Sequence, residues 1–271
     1  MIFLSKFRFG FSGLLVLILS SCSSLQEVPN ALNMPLAGYK GDTKASLNIG
    51  TGGLALQASY AVDSHLVLTS STKYNFFPQN GADNDGGPIT IFHNEWQEDI
   101  GAGYFFEPFD NSRFEIIGGL GWSSMNYSSS YENIDLAGDS YYNTYFNGNI
   151  VHGFIQADGG IVNRGFSLGL GMRLSDRYYI GNYESYQNIN SGFDHQLTDD
   201  KYKLQVNTFC IEPGIVTSFG TGDMKFNIML GFSFNTTGFI LDPVIAQNKA
   251  SWLPSLPIFL STGVTYAIHG K

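Results

Sequence analysis

Cys22 and Cys210 are the only cysteines in 271 residues. With at most one bridge available, a disulfide framework is excluded as the source of stability. Charge is scarce as well, at 14% of residues, and it leans acidic, with 14 Lys and Arg against 23 Asp and Glu. A formal net charge of −9 argues against nucleic acid as a partner, because binding phosphates needs a basic face. Past Leu19 no apolar run reaches the ~18 residues of a transmembrane helix. His-Glu-x-x-His does not occur, so the common zinc-protease signature is absent. What the chain does have is 32 Gly, 15 Tyr and 22 Phe, a mixture suited to β-structure with tight turns and aromatic faces.

The N-terminus reads as an export signal. Lys6 and Arg8 form a short positive region, Phe11 to Leu19 is mostly apolar, and small residues follow at once. The junction Leu19-Ser20-Ser21-Cys22 resembles the bacterial lipobox, in which the cysteine is acylated and the chain is cut before it. That resemblance implies residues 1–21 as a cleaved signal peptide, lipidation at Cys22 and a lipidated tether over 22–42. More than one acyl chain makes such an anchor stable. Ser23, not aspartate, follows the cysteine, which favours the outer membrane. Cleavage would remove Lys6 and Arg8 but no acidic residue, making the mature chain more negative still.

Residues 43–271 read as one barrel domain. In Phe166 to Ser175, Phe166, Leu168, Leu170, Met172 and Leu174 share one parity, while Ser167, Gly169, Gly171, Arg173 and Ser175 share the other. A period of two with small and polar residues on the second face suits a lipid-facing wall around a crowded lumen. Similar alternation recurs at 54–62, 113–122, 225–234 and 256–268, and less regularly at 43–50, 65–77, 89–106, 150–162 and 201–219. That makes ten strands. In the segment 201–219, Leu204 and Val206 have one parity, but Phe209, Ile211 and Ile215 have the other, so a β-bulge near Thr208 is expected. Short turns at 62–65, 107–112, 163–165 and 220–223 alternate with long polar loops at 78–88, 128–149, 183–200 and 236–252. The expected fold is all-β, a single up-and-down antiparallel β-barrel with short periplasmic turns and longer extracellular loops.

The order Cys22-Ser23-Ser24, Val28-Pro29-Asn30, Asn33-Met34-Pro35-Leu36, Gln57-Ala58-Ser59-Tyr60-Ala61-Val62 and Phe209-Cys210-Ile211-Glu212-Pro213 resembles a loose family of poorly characterised bacterial outer-membrane β-barrel lipoproteins. The general layout is similar to small outer-membrane barrels of the OmpA type. That resemblance implies a Gram-negative outer membrane and brings no catalytic motif.

Parity assigns Lys73, Glu95, Asp99, Arg113, Glu115, Asp158, Arg173 and Glu212 to the lumen, with Gln57, Gln156 and Gln205. Ionisable groups in a narrow barrel should pair or meet water. A structural charge network is the first reading, and a gated ion path the second. His93 and Glu95 could join His152 and Asp158 as a metal site or a His/acid hydrolase. Asp83-Asn84-Asp85-Gly86-Gly87 loosely resembles a calcium loop but lacks the distal glutamate. Tyr131, Tyr141, Tyr142, Tyr145 and Phe146, then Tyr183, Tyr186 and Tyr202, lie in or beside loops 128–149 and 183–200 among Ser, Asn and Gly. Such surfaces suit recognition of an extracellular ligand, or an aromatic girdle. No cofactor is expected.

Three readings follow. The first is a non-enzymatic outer-membrane barrel whose partners are membrane lipid and an extracellular ligand. The second is a barrel enzyme acting on lipid or peptide, and the third a soluble, lipid-tethered carrier. The anchor is tested by metabolic labelling with a fatty-acid probe: wild type should take the label and Cys22→Ala should not, whereas equal labelling of both would remove the anchor.

Overall fold

The computed structural model describes residues 32–75, 79–82, 88–135, 138–191, 194–235 and 258–268. Within them lie ten antiparallel strands: β1 (Thr43–Gly50), β2 (Gly53–Ala61), β3 (Leu66–Asn75, continued by Gln79–Ala82), β4 (Pro88–Phe106), β5 (Ser112–Asp135), β6 (Gly138–Val162), β7 (Phe166–Ser191), β8 (Asp194–Phe219), β9 (Met224–Phe232, continued by Phe234–Asn235) and β10 (Ile258–Ile268). Each strand pairs with its neighbours in sequence, and β1 pairs with β10 from Thr43↔Ile268 to Gly50↔Ser261. The sheet therefore closes into an up-and-down barrel with no free edge along that seam. Among the described residues no helix is long and apolar enough to cross a membrane.

Alternation is what lets these residues build a wall. β2 alternates buried and exposed residue by residue over its whole length. Outward-facing side chains form an apolar belt that includes Leu56, Ile100, Ile116, Leu120, Ile155, Leu170 and Phe226, all exposed. Inward-facing ones are small or polar, and Gln57, Lys73, Gln97, Glu115 and Arg173 are all buried. A water-soluble barrel would bury the first set and expose the second.

The long loops expected at 128–149 and 183–200 are mostly strand. β5 and β6 stay paired from Ser112↔Ile161 to Asp135↔Gly138, and β7 and β8 from Phe166↔Phe219 to Ser191↔Asp194. Of the segment 78–88, residues 79–82 extend β3 against Ile91–Pro88 of β4. Residues 83–87, with the calcium-like sequence, and 236–257 lie outside the described residues, as do Cys22 and the rest of 1–31.

No bulge interrupts β8. Its register with β7 is continuous, and with β9 it runs from Phe226↔Phe219 through Gly231↔Gly214 to Phe234↔Ile211 and Asn235↔Cys210. The change of parity has another cause. Along the outer face of β8, Lys201, Lys203, Gln205 and Asn207 give way to Phe209. Along its inner face, Leu204 gives way to Thr208, Cys210 and Glu212, all buried. The wall inverts its polarity without a break. Near the turns it is apolar outside and polar inside, and towards the hairpin tips it is polar outside. There Met125, Tyr127, Phe146, Ile150, Tyr179, Tyr183 and Leu204 form an apolar core inside. Gln205, expected in the lumen, accordingly faces outward and is exposed.

The belt is testable in a lipid bilayer. Leu170→Arg should destabilise the reconstituted barrel by about 2–4 kcal/mol, the cost of a cation on the lipid face near mid-depth. Gln205→Arg should change little. Urea unfolding in vesicles reads both, and equal small effects would argue against a lipid-facing belt.

Candidate functional site: the filled lumen

Three clusters of buried charge occupy the lumen. Asp99 is the hub of the first. It accepts from Ser71 Oγ (3.3 Å), Gln97 Nε2 (3.2 Å) and Arg173 Nη1 (3.2 Å), and it meets His152 Nε2 at 2.9 Å. Arg173 also donates from Nε and Nη2 to Gln156 Oε1, at 3.0 and 2.8 Å, and lies over the Phe154 ring at 4.4 Å. The second cluster pairs Lys73 Nζ with Glu95 Oε2 at 3.0 Å, with His93 Nε2 3.3 Å from the same oxygen. In the third, Glu212 accepts from Arg177 Nη2 and from the hydroxyls of Ser175 and Ser233 at 3.4 Å each. The eight charged residues placed in the lumen by parity are all buried. They do not form one network. Arg113 turns to the rim and pairs with Glu107, while Glu115 and Asp158, directly opposite in register, bond elsewhere.

Glu115 accepts from the backbone N–H of Ala37, which introduces the feature that strand counting missed. Of residues 32–42, placed in the tether by sequence, 32–38 run inside the barrel as a plug, and Tyr39 and Lys40 are exposed. Leu32, Pro35, Leu36 and Ala37 are buried. Leu32 packs with Met229 and Phe259, with Met34 and Val216 against them. Polar hooks fix the rest of the segment. Lys44 Nζ donates to the carbonyls of Pro35 and Leu36, and Gln156 Nε2 donates to Asn33 O at 2.8 Å. Asp42 Oδ2 accepts from the N–H groups of Gly38 and Tyr39 at 3.0 Å each. The wall has notches for the plug. A Cβ at Gly214 would stand 2.9 Å from Leu32 Cδ1, and one at Gly160 would stand 2.9 Å from Leu36 Cδ1. The sequence signal was there: Asn33-Met34-Pro35-Leu36-Ala37 lacks alternation, and glycines recur on the inner parity of β6, β7 and β8, at Gly160, Gly169, Gly171 and Gly214.

The proposed metal or hydrolase grouping is not assembled. His93 contacts Glu95, but His152 binds Asp99 and not Asp158, whose carboxylate accepts from Gln156 Nε2 at 2.7 Å. Among the described residues no group of three His, Cys, Asp or Glu is placed to hold a metal ion. Arg177 completes the Glu212 pair and was missed because parity alone does not rank one inner-face arginine above its neighbours. Of the tyrosine-rich segments, Tyr145 and Tyr202 are exposed, whereas Phe146 and Tyr183 belong to the apolar core near the tips. The side chains of Tyr131 and Tyr142 lie outside the described residues.

No family model matches the sequence, and no curated protein matches it. Solved structures of similar outline include the outer-membrane protease OmpT from Escherichia coli, at 10% identity and a TM-score of 0.46 over 84% of this chain and 93% of that one. CarO from Acinetobacter baumannii aligns at 8% identity and a TM-score of 0.35 over 86% and 99%. LpxR from Salmonella typhimurium aligns at 8% identity and a TM-score of 0.33 over 83% and 99%. At these scores the likenesses carry no argument, and the barrel is established by its own strand pairing.

Arg173→Ala should destabilise the barrel by about 3 kcal/mol, because it leaves Asp99 buried with its charge less compensated. Lys201→Ala, which removes an exposed pair with Glu184, should cost less than about 0.5 kcal/mol. Denaturant unfolding compares the two directly, and equal costs would mean that water enters the lumen around Asp99.

Proposed function

We propose that this chain is a non-enzymatic β-barrel lipoprotein of a Gram-negative outer membrane, anchored through Cys22. The carrying observation is the lumen, where plug residues 32–38 and three charge clusters occupy the space that a conducting barrel leaves to water. Ten strands enclose little more than side chains can fill. The apolar belt supports insertion in lipid rather than a soluble carrier, and closed barrels satisfy backbone groups inside a bilayer. The lipobox-like Leu19-Ser20-Ser21-Cys22 supports the anchor.

With its interior occupied, the barrel offers its working surface outside. Strands β5–β8 run on past the polarity inversion, and their outer face there carries Asn126, Tyr145, Asn147, Asn182, Glu184, Lys201 and Lys203, all exposed. Tyrosine among Asn and Ser makes an adaptable contact surface at low entropic cost. This wall, spanning much of 128–149 and 183–200, is the surface that would meet an extracellular ligand or partner. His152 and Asp99 play a structural part in this reading, since both are committed to the cluster around Arg173.

Planar-bilayer recording separates the plugged barrel from a pore. The wild-type protein should show little steady conductance, rising in Arg173→Ala if the cluster is part of the seal. A large steady conductance in wild type would replace the structural barrel with a channel.

A further inference from the structure

One part of the lumen is left open. A cavity of about 90 Å³ lies between plug residues Asn33–Leu36 and the inner face of β7, β8, β9, β10, β1 and β2, reaching the turn end beside Asp223. Hydrogen-bond donors from several strands line it. Ser167 of β7 and Ser218 of β8 stand directly opposite each other in register. Both are half-buried, and among the described residues neither hydroxyl bonds to the protein or is sealed from the open space. Lys225 of β9 donates to Asn163 O at 3.3 Å, and Lys44 of β1 donates to the carbonyls of Pro35 and Leu36. That leaves two N–H groups on Lys225 and one on Lys44. Unlike Lys73 and Lys201, neither forms an ion pair among the described residues, and the two ammonium groups repel each other. Glu115 and Asp42 lie near Lys44, but plug N–H groups occupy both carboxylates.

We propose that this cavity is a phosphate-binding site entered from the turn end of the barrel. The free donors come from β1, β7, β8 and β9, and a tetrahedral oxyanion has acceptors pointing in as many directions, whereas a carboxylate has two in one plane. Ammonium and hydroxyl donors to an ionised oxygen make the stronger class of hydrogen bond. Two lysines against one lining carboxylate, Asp223, leave a positive charge for the anion to match. Asp223 also selects. Hydrogen phosphate keeps a proton at neutral pH and can donate it to a carboxylate, whereas sulfate can only accept and meets repulsion. The volume suits an ion of five heavy atoms and lies well below the ~300 Å³ of a pocket for a drug-sized ligand. Free phosphate and the phosphomonoester headgroup of a lipid share this chemistry.

The test uses the full-length protein in non-ionic detergent micelles, with inorganic phosphate as the probe and titration calorimetry at constant ionic strength as the readout. Phosphate should bind saturably at one site. Lys225→Met should weaken it about tenfold, the loss of one charge-assisted hydrogen bond. Ser218→Ala should weaken it less, and Lys201→Met, far away at the hairpin tips, should leave it unchanged. Heat-modifiable gel mobility confirms a closed barrel in each variant. Should Lys225→Met fail to fold, Ser218→Ala carries the comparison. Sulfate should bind more weakly than phosphate, and Asp223→Asn should narrow that gap. Micelles doped with phosphatidic acid that abolish phosphate binding would identify the lipid headgroup as the source, and unchanged binding would identify the free ion. Heat that does not saturate, that survives in both folded cavity variants, or that falls equally in Lys201→Met overturns the proposal, and sulfate binding as tightly as phosphate overturns the choice of ion.

Discussion

Strands β3, β4, β6 and β7 are tied together inside the barrel by the need to satisfy the Asp99 carboxylate. Burying an ionised carboxylate is costly unless partners replace its water, and here Ser71, Gln97, His152 and Arg173, from four different strands, supply them. Because the donors come from β3, β4, β6 and β7, the same cluster that satisfies the charge also fixes the spacing of those strands across the lumen. The Lys73–Glu95 and Arg177–Glu212 pairs follow the same logic at other points on the wall. Arg173 couples the hub to the plug, since it shares Gln156 with Asn33.

A second constraint acts from outside. The wall is one continuous ladder, but the character of its outer face changes along its length. Where the outer face is apolar the lumen is polar, and where the outer face turns polar the interior becomes a small hydrophobic core. Tyr183, its ring centroid 4.8 Å from that of Tyr202, belongs to this upper zone, as does Leu204. The inversion leaves backbone pairing untouched, which is why register alone does not reveal it.

Much of the fold was legible because period-two alternation is a direct consequence of strand geometry. Phe166 to Ser175 read correctly from the chain, and the ten strands and their seam follow from such segments. What escaped was anything that parity does not encode. The segments at 128–149 and 183–200 looked like loops because Asn, Ser and Tyr dominate them, yet ladder pairing holds them as strand. The same inversion produced the false bulge at Thr208 and the misplacement of Gln205, since a flip of outer polarity and a one-residue insertion leave identical traces in sequence. The plug escaped strand counting for a different reason. Residues 32–41 belong to no strand, and their place is set by glycines more than a hundred residues away, at Gly160, Gly169 and Gly214.

That distance governs how the molecule is made. Leu32, at the start of the described chain, rests on Met229 and Phe259 near its end, and the first strand pairs with the last. The seat of the plug does not exist until β9 and β10 have been made. Contacts of such long sequence separation are slow to form, because loop closure must come before any of the reward. The middle of the chain is the opposite case: β5–β8 are hairpins between sequence neighbours, free to pair as soon as both arms are present. Assembly is thereby ordered by topology, with the central wall first and the two chain ends locking together last, around a segment that has to be inside when they do.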